Sequence, residues 1–243
     1  MSVKLTRSAR LAPAPIIFIR HGQTDWNKEG RMQGHQDIPL NETGELQAEA
    51  IGERLYEFLE ETSRLPADFE WLCSPMKRAC QTMDIIREKM VLPEGQYRIE
   101  NRLKEITFGT FEGKTLDEIA KARPEHVEGR KQDKWGFVPP EGESYQMLTS
   151  RVEAWLMTTH RPMIIVSHGG VLRALRGLLC GHPDHEVPVL EVPQDRFWVW
   201  QDHTGFWVDT ALSVDPDEGA SEESEENAKS EDDGALGEMA QNQ

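Results

Sequence analysis

Two short runs of this 243-residue chain hold the residue types best suited to chemistry. "IIFIRHG" places Arg20, His21 and Gly22 after four apolar residues, and "MIIVSHGG" places His168, Gly169 and Gly170 after another apolar run. Adjacent cations such as Arg20 and His21 raise each other's cost of burial. An anion lying between them removes that cost, and phosphate suits the residues present. Arginine meets phosphate oxygens with a planar, two-pronged fork. Gly22, Gly169 and Gly170 let backbone N–H groups approach the same anion at helix N-termini. A neutral imidazole can attack phosphorus and form a phosphohistidine. Arginines and imidazolium supply positive charge, so positioning and charge neutralisation carry the chemistry, and no metal or other cofactor is required.

The elements that must position these groups alternate between strand and helix patterns. Ile16 to Arg20 and "MIIVSH" are continuous apolar runs of strand length, the pattern of strands buried on both faces. "FEWLCS" and "YRIENRL" read as two further strands, and "RFWVW" with "FWVD" as a closing hairpin. Helical periodicity runs through "NETGELQAEAIGERLYEFLEE" behind an Asn41 or Thr43 cap. It recurs in "MKRACQTMDIIREKM", "TLDEIAKA", "ESYQMLTSRVEAWLMTTH" and "GGVLRALRGLLC", while Arg123 to Glu141 reads as an irregular basic segment. This alternation predicts an α/β fold, a three-layer α/β/α sandwich around a mostly parallel sheet. Ligands of such sheets sit beyond the carboxyl ends of strands. If the two His-Gly strands are parallel neighbours, His21 and His168 share one rim.

Composition excludes several classes. The net charge of -16 argues against a nucleic-acid partner. Much of it sits in Val214 to Gln243, where eleven acidic residues meet one lysine; with almost no apolar bulk this stretch reads as a disordered acidic tail, 213–243. Residues 1–14 read as a flexible basic extension without an apolar signal-peptide core, and no run is long enough to span a membrane. Cys73, Cys80 and Cys180 form no CxxC pair, as expected of reduced thiols in a soluble cytoplasmic protein. "GHPDHE" is too short and proline-bent to surround a metal ion and reads as a polar loop. Trp198, Trp200 and Trp207 read as packing residues, and a homo-oligomer stays open.

The run "RHGQTDWN" resembles the histidine phosphatase superfamily, the phosphoglycerate-mutase-like proteins, and the likeness continues in order along the chain. "RMQGHQDIPLNETGELQA", "CSPMKRACQT", "LKEITFGTFEG", "PPEGESY" and "VSHGG" are each similar to a motif of that family. Phe111 stands where the family more often has tryptophan, and Glu141 where it has glycine. The resemblance implies a family domain over 15–212, with a lid insertion at about 106–142. It implies that His21 is the nucleophile, that Arg20, Arg78, His168 and Asn27 surround the phosphoryl group, and that Glu105 is general acid and then base. Glu112 stands nearby, and only motif order selects Glu105. Gln33, Gly34 and Gly169 are assigned to substrate binding.

Glu141 follows Glu105 by 36 positions, shorter than the insertion of the family's mutases, which favours hydrolysis. That a lid is present at all, where family members acting on protein phosphohistidine are barer, points to a small phosphorylated metabolite. Arg123, Arg130, Lys131 and Lys134, with Trp135 and Phe137, either meet a second anionic group or a sugar face, or form a solvated basic loop. The alternatives are a phosphoglycerate-type mutase and a non-catalytic phospho-ligand binder. Against the latter, His21, Glu105 and His168 are all retained.

Overall fold

The computed structural model describes residues 14–213. The basic extension and the acidic tail lie outside them, apart from the junction residues Ala14 and Ser213. Six strands form one sheet: β1 (Ile16–Arg20), β2 (Glu70–Cys73), β3 (Arg98–Ile99), β4 (Met163–Ser167), β5 (Arg196–Gln201) and β6 (Thr204–Asp209). Their order across the sheet is β3-β2-β4-β1-β5-β6. The first four are mutually parallel, and β5 and β6 close one edge as an antiparallel hairpin. Among the described residues there are seven α-helices: α1 (Asp25–Lys28), α2 (Glu42–Glu61), α3 (Lys77–Lys89), α4 (Leu116–Ala122), α5 (Pro124–Gln132), α6 (Tyr145–Leu156) and α7 (Gly169–Cys180).

Strand alternation sorts the core into two layers. Ile17, Ile19, Ile164 and Val166 pack against Ile51 and Leu55 of α2 and Met83 and Ile86 of α3. Ile16, Phe18 and Ile165 face Leu148, Val152 and Trp155 of α6 and Leu172 and Leu175 of α7. Ile16 to Ile19 are each 0% exposed, so both faces of β1 are covered. Burying such side chains is worth about 1.5–3 kcal/mol apiece. The result is the three-layer α/β/α sandwich. Trp198 and Trp200 stack at 6.0 Å within the α6–α7 layer, with Trp207 partly buried against it.

Three expectations are corrected, and one short helix is added. The strand over "YRIENRL" stops at Ile99, because the Glu100 carboxylate accepts the Arg102 N–H at 3.0 Å and caps a tight turn over Asn101–Leu103. The segment Arg123 to Glu141 is not wholly irregular. Pro124 opens α5, where its missing N–H costs nothing. That helix buries none of its residues, which is why it lacks an apolar stripe to betray it. The four-residue α1 is also new, closed by a reciprocal cap between Thr24 and Asn27. Finally, α6 is shorter than the "ESYQMLTSRVEAWLMTTH" periodicity. Ser144 caps its start, and the Thr158 and Thr159 hydroxyls take the Trp155 and Leu156 carbonyls at its end. Asn41, of the two candidate caps for α2, is the one used.

For the site, the decisive relation is the β1–β4 register. Arg20 lies opposite Ser167, and the His21 N–H donates to the Ser167 carbonyl at 2.9 Å. The ladder therefore runs one residue past both strands and delivers His21 and His168 to the same rim.

Candidate active site

His21 and His168 are 3% and 0% exposed, with ring centroids 5.1 Å apart and edge to face. Nδ1 of His21 lies 2.7 Å from the Gly22 carbonyl, which can only accept, so that network puts the proton on Nδ1. Nε2 then carries the lone pair, and Arg78 Nε donates to it at 3.2 Å. Burial first, and then Arg78 and Arg20, hold the His21 pKa well below 6.5. The ring is neutral at neutral pH, the form that attacks phosphorus. His168 is held down in the same direction by burial, Arg78 and His21. Its Nε2 lies 2.7 Å from Ser74 Oγ, and its buried Nδ1 has no hydrogen-bond partner among the described residues. Ser74 is thus a site residue missed in the sequence, although it opens "SPMKRA".

Arg78, in the first turn of α3, is 0% exposed and donates one hydrogen bond from each of its three side-chain nitrogens. Nη1 and Nη2 donate to the Gln36 and Gly34 carbonyls at 2.8 and 2.9 Å, and Nε serves His21. Gly34 allows this grip. Its φ is +51°, and a Cβ there would collide with the Glu112 carboxylate. Arg20 donates from Nη1 to the Val192 carbonyl, while its Nε is buried without a partner among the described residues. Burial, reinforced by Arg173, lowers the Arg20 pKa to about 10. Gln33 Oε1 is likewise buried and unpartnered.

Arg20, His21, Asn27, Gln33, Gly34, Arg78 and Glu105 line one cavity of about 270 Å³. His168 and Gly169 are not part of its wall. A larger cavity of about 640 Å³ beside α2 shares only Arg20 with it. That larger wall holds no histidine, so the chemistry belongs to the smaller one.

Glu105 is the carboxylate in this wall. Its oxygens accept the Gly170 N–H at 3.1 and 3.2 Å, and Oε1 also accepts the Ile106 N–H at 2.9 Å. A Cβ on residue 170 would lie 2.3 Å from Oε1, so the second glycine after His168 is what admits the acid. Glu112, the competing carboxylate, is engaged with the His35 N–H, Thr107 Oγ1 and Gln36 Nε2 and is absent from the wall. The glycine expectation is corrected in part. The Gly170 N–H serves Glu105 and the Gly22 N–H serves Thr82, so neither is free for an anion here. Asn27 Oδ1 is occupied by Thr24 and by Gln194, which also donates to the His21 carbonyl at 2.8 Å. That leaves the Asn27 amide nitrogen as a donor facing no protein partner among the described residues.

Arg130 of the lid also lines this cavity. Behind it stands a second group of cations, Lys134 and Arg173, beside Tyr145. Arg173 Nη1 lies 3.4 Å from the Tyr145 hydroxyl. A methyl group on Gly169 would touch Arg20 Nε and Arg173 Nη1, at 3.4 and 3.7 Å, so these two guanidinium groups flank one spot. Burial, then Arg130 and Arg173, lowers the Lys134 pKa to about 8. None of these four cations forms a salt bridge among the described residues. Phe137 instead stacks on Phe111 at 6.3 Å, and Arg123 lines neither this cavity nor the adjoining one that holds Lys131, Lys134 and Trp135.

The histidine phosphatase superfamily (branch 1) family pattern matches residues 16–203, most of the chain. The chain belongs to this superfamily. A Bacillus subtilis phosphatase named PhoE is 33% identical over 168 residues, covering 66% of this chain and 74% of its own. A 6-phosphofructo-2-kinase/fructose-2,6-bisphosphatase of Caenorhabditis elegans is also 33% identical, over 185 residues. The match takes in 75% of this chain but only 38% of that longer relative. A glucosyl-3-phosphoglycerate phosphatase of Mycolicibacterium vanbaalenii is 29% identical, covering 76% of this chain and 82% of its own. Among solved structures, the alpha-ribazole phosphatase of Shigella flexneri superposes with a TM-score of 0.66 at 26% identity, over 83% of this chain and 99% of that one. These relatives place the chain on the phosphatase side of the superfamily. No helix among the described residues is long and apolar enough to cross a membrane.

Proposed function

We propose that the protein is a phosphomonoester hydrolase that acts on a small metabolite bearing a second anionic group, through a phosphohistidine on His21. The observation that carries this reading is the neutral His21, its Nε2 lone pair beside Arg78 in a cavity whose one carboxylate is Glu105.

Nε2 attacks phosphorus, the P–O bond to the alcohol breaks, and protonated Glu105 gives its proton to the departing oxygen. Arg78 Nε shifts its donor from Nε2 to a phosphoryl oxygen, with Arg20 and Asn27 meeting the others. The positive charge arising on the imidazole is held by Nδ1–H against the Gly22 carbonyl. Glu105, now ionised, takes a proton from water as that water attacks phosphorus. Inorganic phosphate leaves and His21 returns to its neutral form.

The second anionic group is argued from Arg130, Lys134 and Arg173. Partly buried cations grouped without a carboxylate partner repel one another, and an anionic ligand offsets that cost. The names of two relatives fit: fructose 2,6-bisphosphate carries two phosphates, and glucosyl-3-phosphoglycerate carries a phosphate and a carboxylate.

The test is phosphate release from a panel of mono- and bisphosphorylated metabolites in EDTA, with His21→Ala alongside. Release by wild type alone, fastest from doubly anionic esters, is the expected result. Turnover lost in EDTA, or surviving in His21→Ala, would overturn the mechanism.

A further inference from the structure

We infer that Arg151, on α6 and outside the catalytic motifs, is the positioning residue that fixes Glu105 at the leaving oxygen. The inference builds on the reading of Glu105 as the general acid.

The backbone around Glu105 belongs to no strand or α-helix. It runs from the turn at Asn101–Leu103 to the turn at Gly109–Phe111, and no ladder holds it. Side chains hold it instead: Ser167 Oγ donates to the Leu103 carbonyl at 2.7 Å, His35 Nε2 lies 2.9 Å from the Glu105 carbonyl, and one guanidinium makes the most contacts. Arg151 Nη1 donates to the carbonyls of Arg102 and Lys104 at 2.8 and 2.9 Å, and Nη2 reaches the Glu105 carbonyl at 3.3 Å. The same side chain pairs in two-pronged fashion with Glu143, from Nε at 3.1 Å and Nη2 at 2.8 Å. Glu143 carries the grip to the other side of the acid. Its Oε2 accepts the Thr107 N–H at 3.3 Å, and its own N–H donates to the Thr107 carbonyl at 2.9 Å. Residues 102, 104, 105 and 107 are therefore tied to one ion pair whose two members are Arg151, in the middle of α6, and Glu143, the residue just before its cap.

Only arginine can do this. The planar fork serves three carbonyls and a carboxylate at once, whereas an ammonium group is a single point with three donors on a flexible stem. The consequence for chemistry is steep, because a displacement of about 1 Å of an acid from its proton acceptor can cost about 10²-fold in rate. The Glu105 carboxylate is held at its far end by Gly170, so Arg151 and the Gly170 N–H grip the residue from backbone and side chain respectively.

An ion pair that merely stabilises α6 would, when broken, slow every substrate alike. A residue that places the general acid has a distinct readout, since the acid matters most when the leaving alcohol is a poor leaving group. The experiment compares kcat and KM for p-nitrophenyl phosphate and for an alkyl phosphate in wild type, Glu105→Gln, Arg151→Met, Arg151→Lys and Glu143→Gln. Arg151→Met is expected to lower kcat on the alkyl ester at least tenfold more than on p-nitrophenyl phosphate, with KM little changed. Arg151→Lys should not rescue it. The Arg151→Met/Glu105→Gln double variant should be no slower on the alkyl ester than Glu105→Gln alone, because both changes remove the same proton transfer. An equal fall on both esters in Arg151→Met, with Glu105→Gln still discriminating, overturns the inference and leaves the phosphatase reading standing. A Glu105→Gln variant that does not discriminate overturns the assignment of the acid itself. Should Arg151→Met fail to fold, Glu143→Gln retains the three carbonyl contacts and reads the same discrimination at smaller amplitude; equal slowing there counts against the inference too.

Discussion

Arg78 Nε donates to Nε2 of His21 across 3.2 Å, so the cation of the site occupies the lone pair that the reaction needs. The arrangement makes sense of the adjacency of positive groups. His21 gives Arg78 an acceptor, and burial with Arg78 and Arg20 keeps the ring neutral. An arriving phosphoryl group offers Arg78 better acceptors and frees Nε2 at the moment of attack. Nucleophile and clamp are thus coupled through one hydrogen bond.

Arg78→Lys tests that coupling. A lysine cannot reach His21 Nε2 and the Gly34 and Gln36 carbonyls together, so it loses both the clamp and the anchor of the 34–36 loop. The expected fall in kcat/KM is about 10²–10³-fold, the size seen when one pre-aimed donor to developing charge is removed. Retention of activity within tenfold would mean that the loop and the nucleophile are held by something else.

Gly170→Ala addresses the acid. The added methyl would sit 2.3 Å from Glu105 Oε1 and 3.2 Å from Ile106 Cγ2, so the carboxylate must leave the Gly170 N–H. Turnover of alkyl esters should fall more than tenfold, while p-nitrophenyl phosphate, with its good leaving group, is slowed less. Parallel losses on both esters would show that the methyl disturbs the pocket as a whole.

Much of this site could be read from residue order because it is built at strand ends. The apolar runs ending at Arg20 and Ser167 fixed two buried strands, and their pairing brings His21 and His168 together without further information. Arg78 was legible for a similar reason, since a helix start after a strand end places its first-turn side chains on the same rim. What escaped the sequence depends on loops. Ser74, Gln194 and Arg151 act through hydrogen bonds to residues 94, 173 and 46 positions away, and no local periodicity encodes such partners. Helix α5 was missed because it buries nothing, and the strand expected at 97–103 was cut short by a side-chain cap that competes with the sheet.

Stability should depend on pH with a definite sign. His21 and His168 both have folded-state pKa values well below 6.5, from burial and then neighbouring cations, whereas the unfolded chain titrates near about 6.5. Between those values the unfolded state binds more protons, so stability is present above pH about 6.5 and declines as pH falls. The slope is up to about 1.4 kcal/mol per pH unit for each histidine. Urea unfolding at pH 7.5 and 5.5 should show the loss, and it should shrink in His168→Gln. An undiminished loss in that variant would place the titrating groups elsewhere.

The last prediction concerns Lys134, whose pKa is lowered to about 8 by burial and by Arg130 and Arg173. Below pH 8 the ammonium is charged and attracts the second anionic group of the substrate. Above pH 8 it loses its proton and the attraction goes with it. Because the free enzyme titrates here, the effect should appear in kcat/KM. Between pH 7 and 9, kcat/KM for a bisphosphate ester should decline in wild type, whereas kcat/KM for a phosphate monoester without a second charge should not follow that limb. Lys134→Met should abolish the limb and raise KM for the bisphosphate at pH 7. Lys134→Arg, which stays charged throughout, should flatten the limb while keeping low KM. A limb that persists in Lys134→Met, or that appears equally with the singly charged ester, would remove Lys134 from substrate recognition and return the lid cations to solvent.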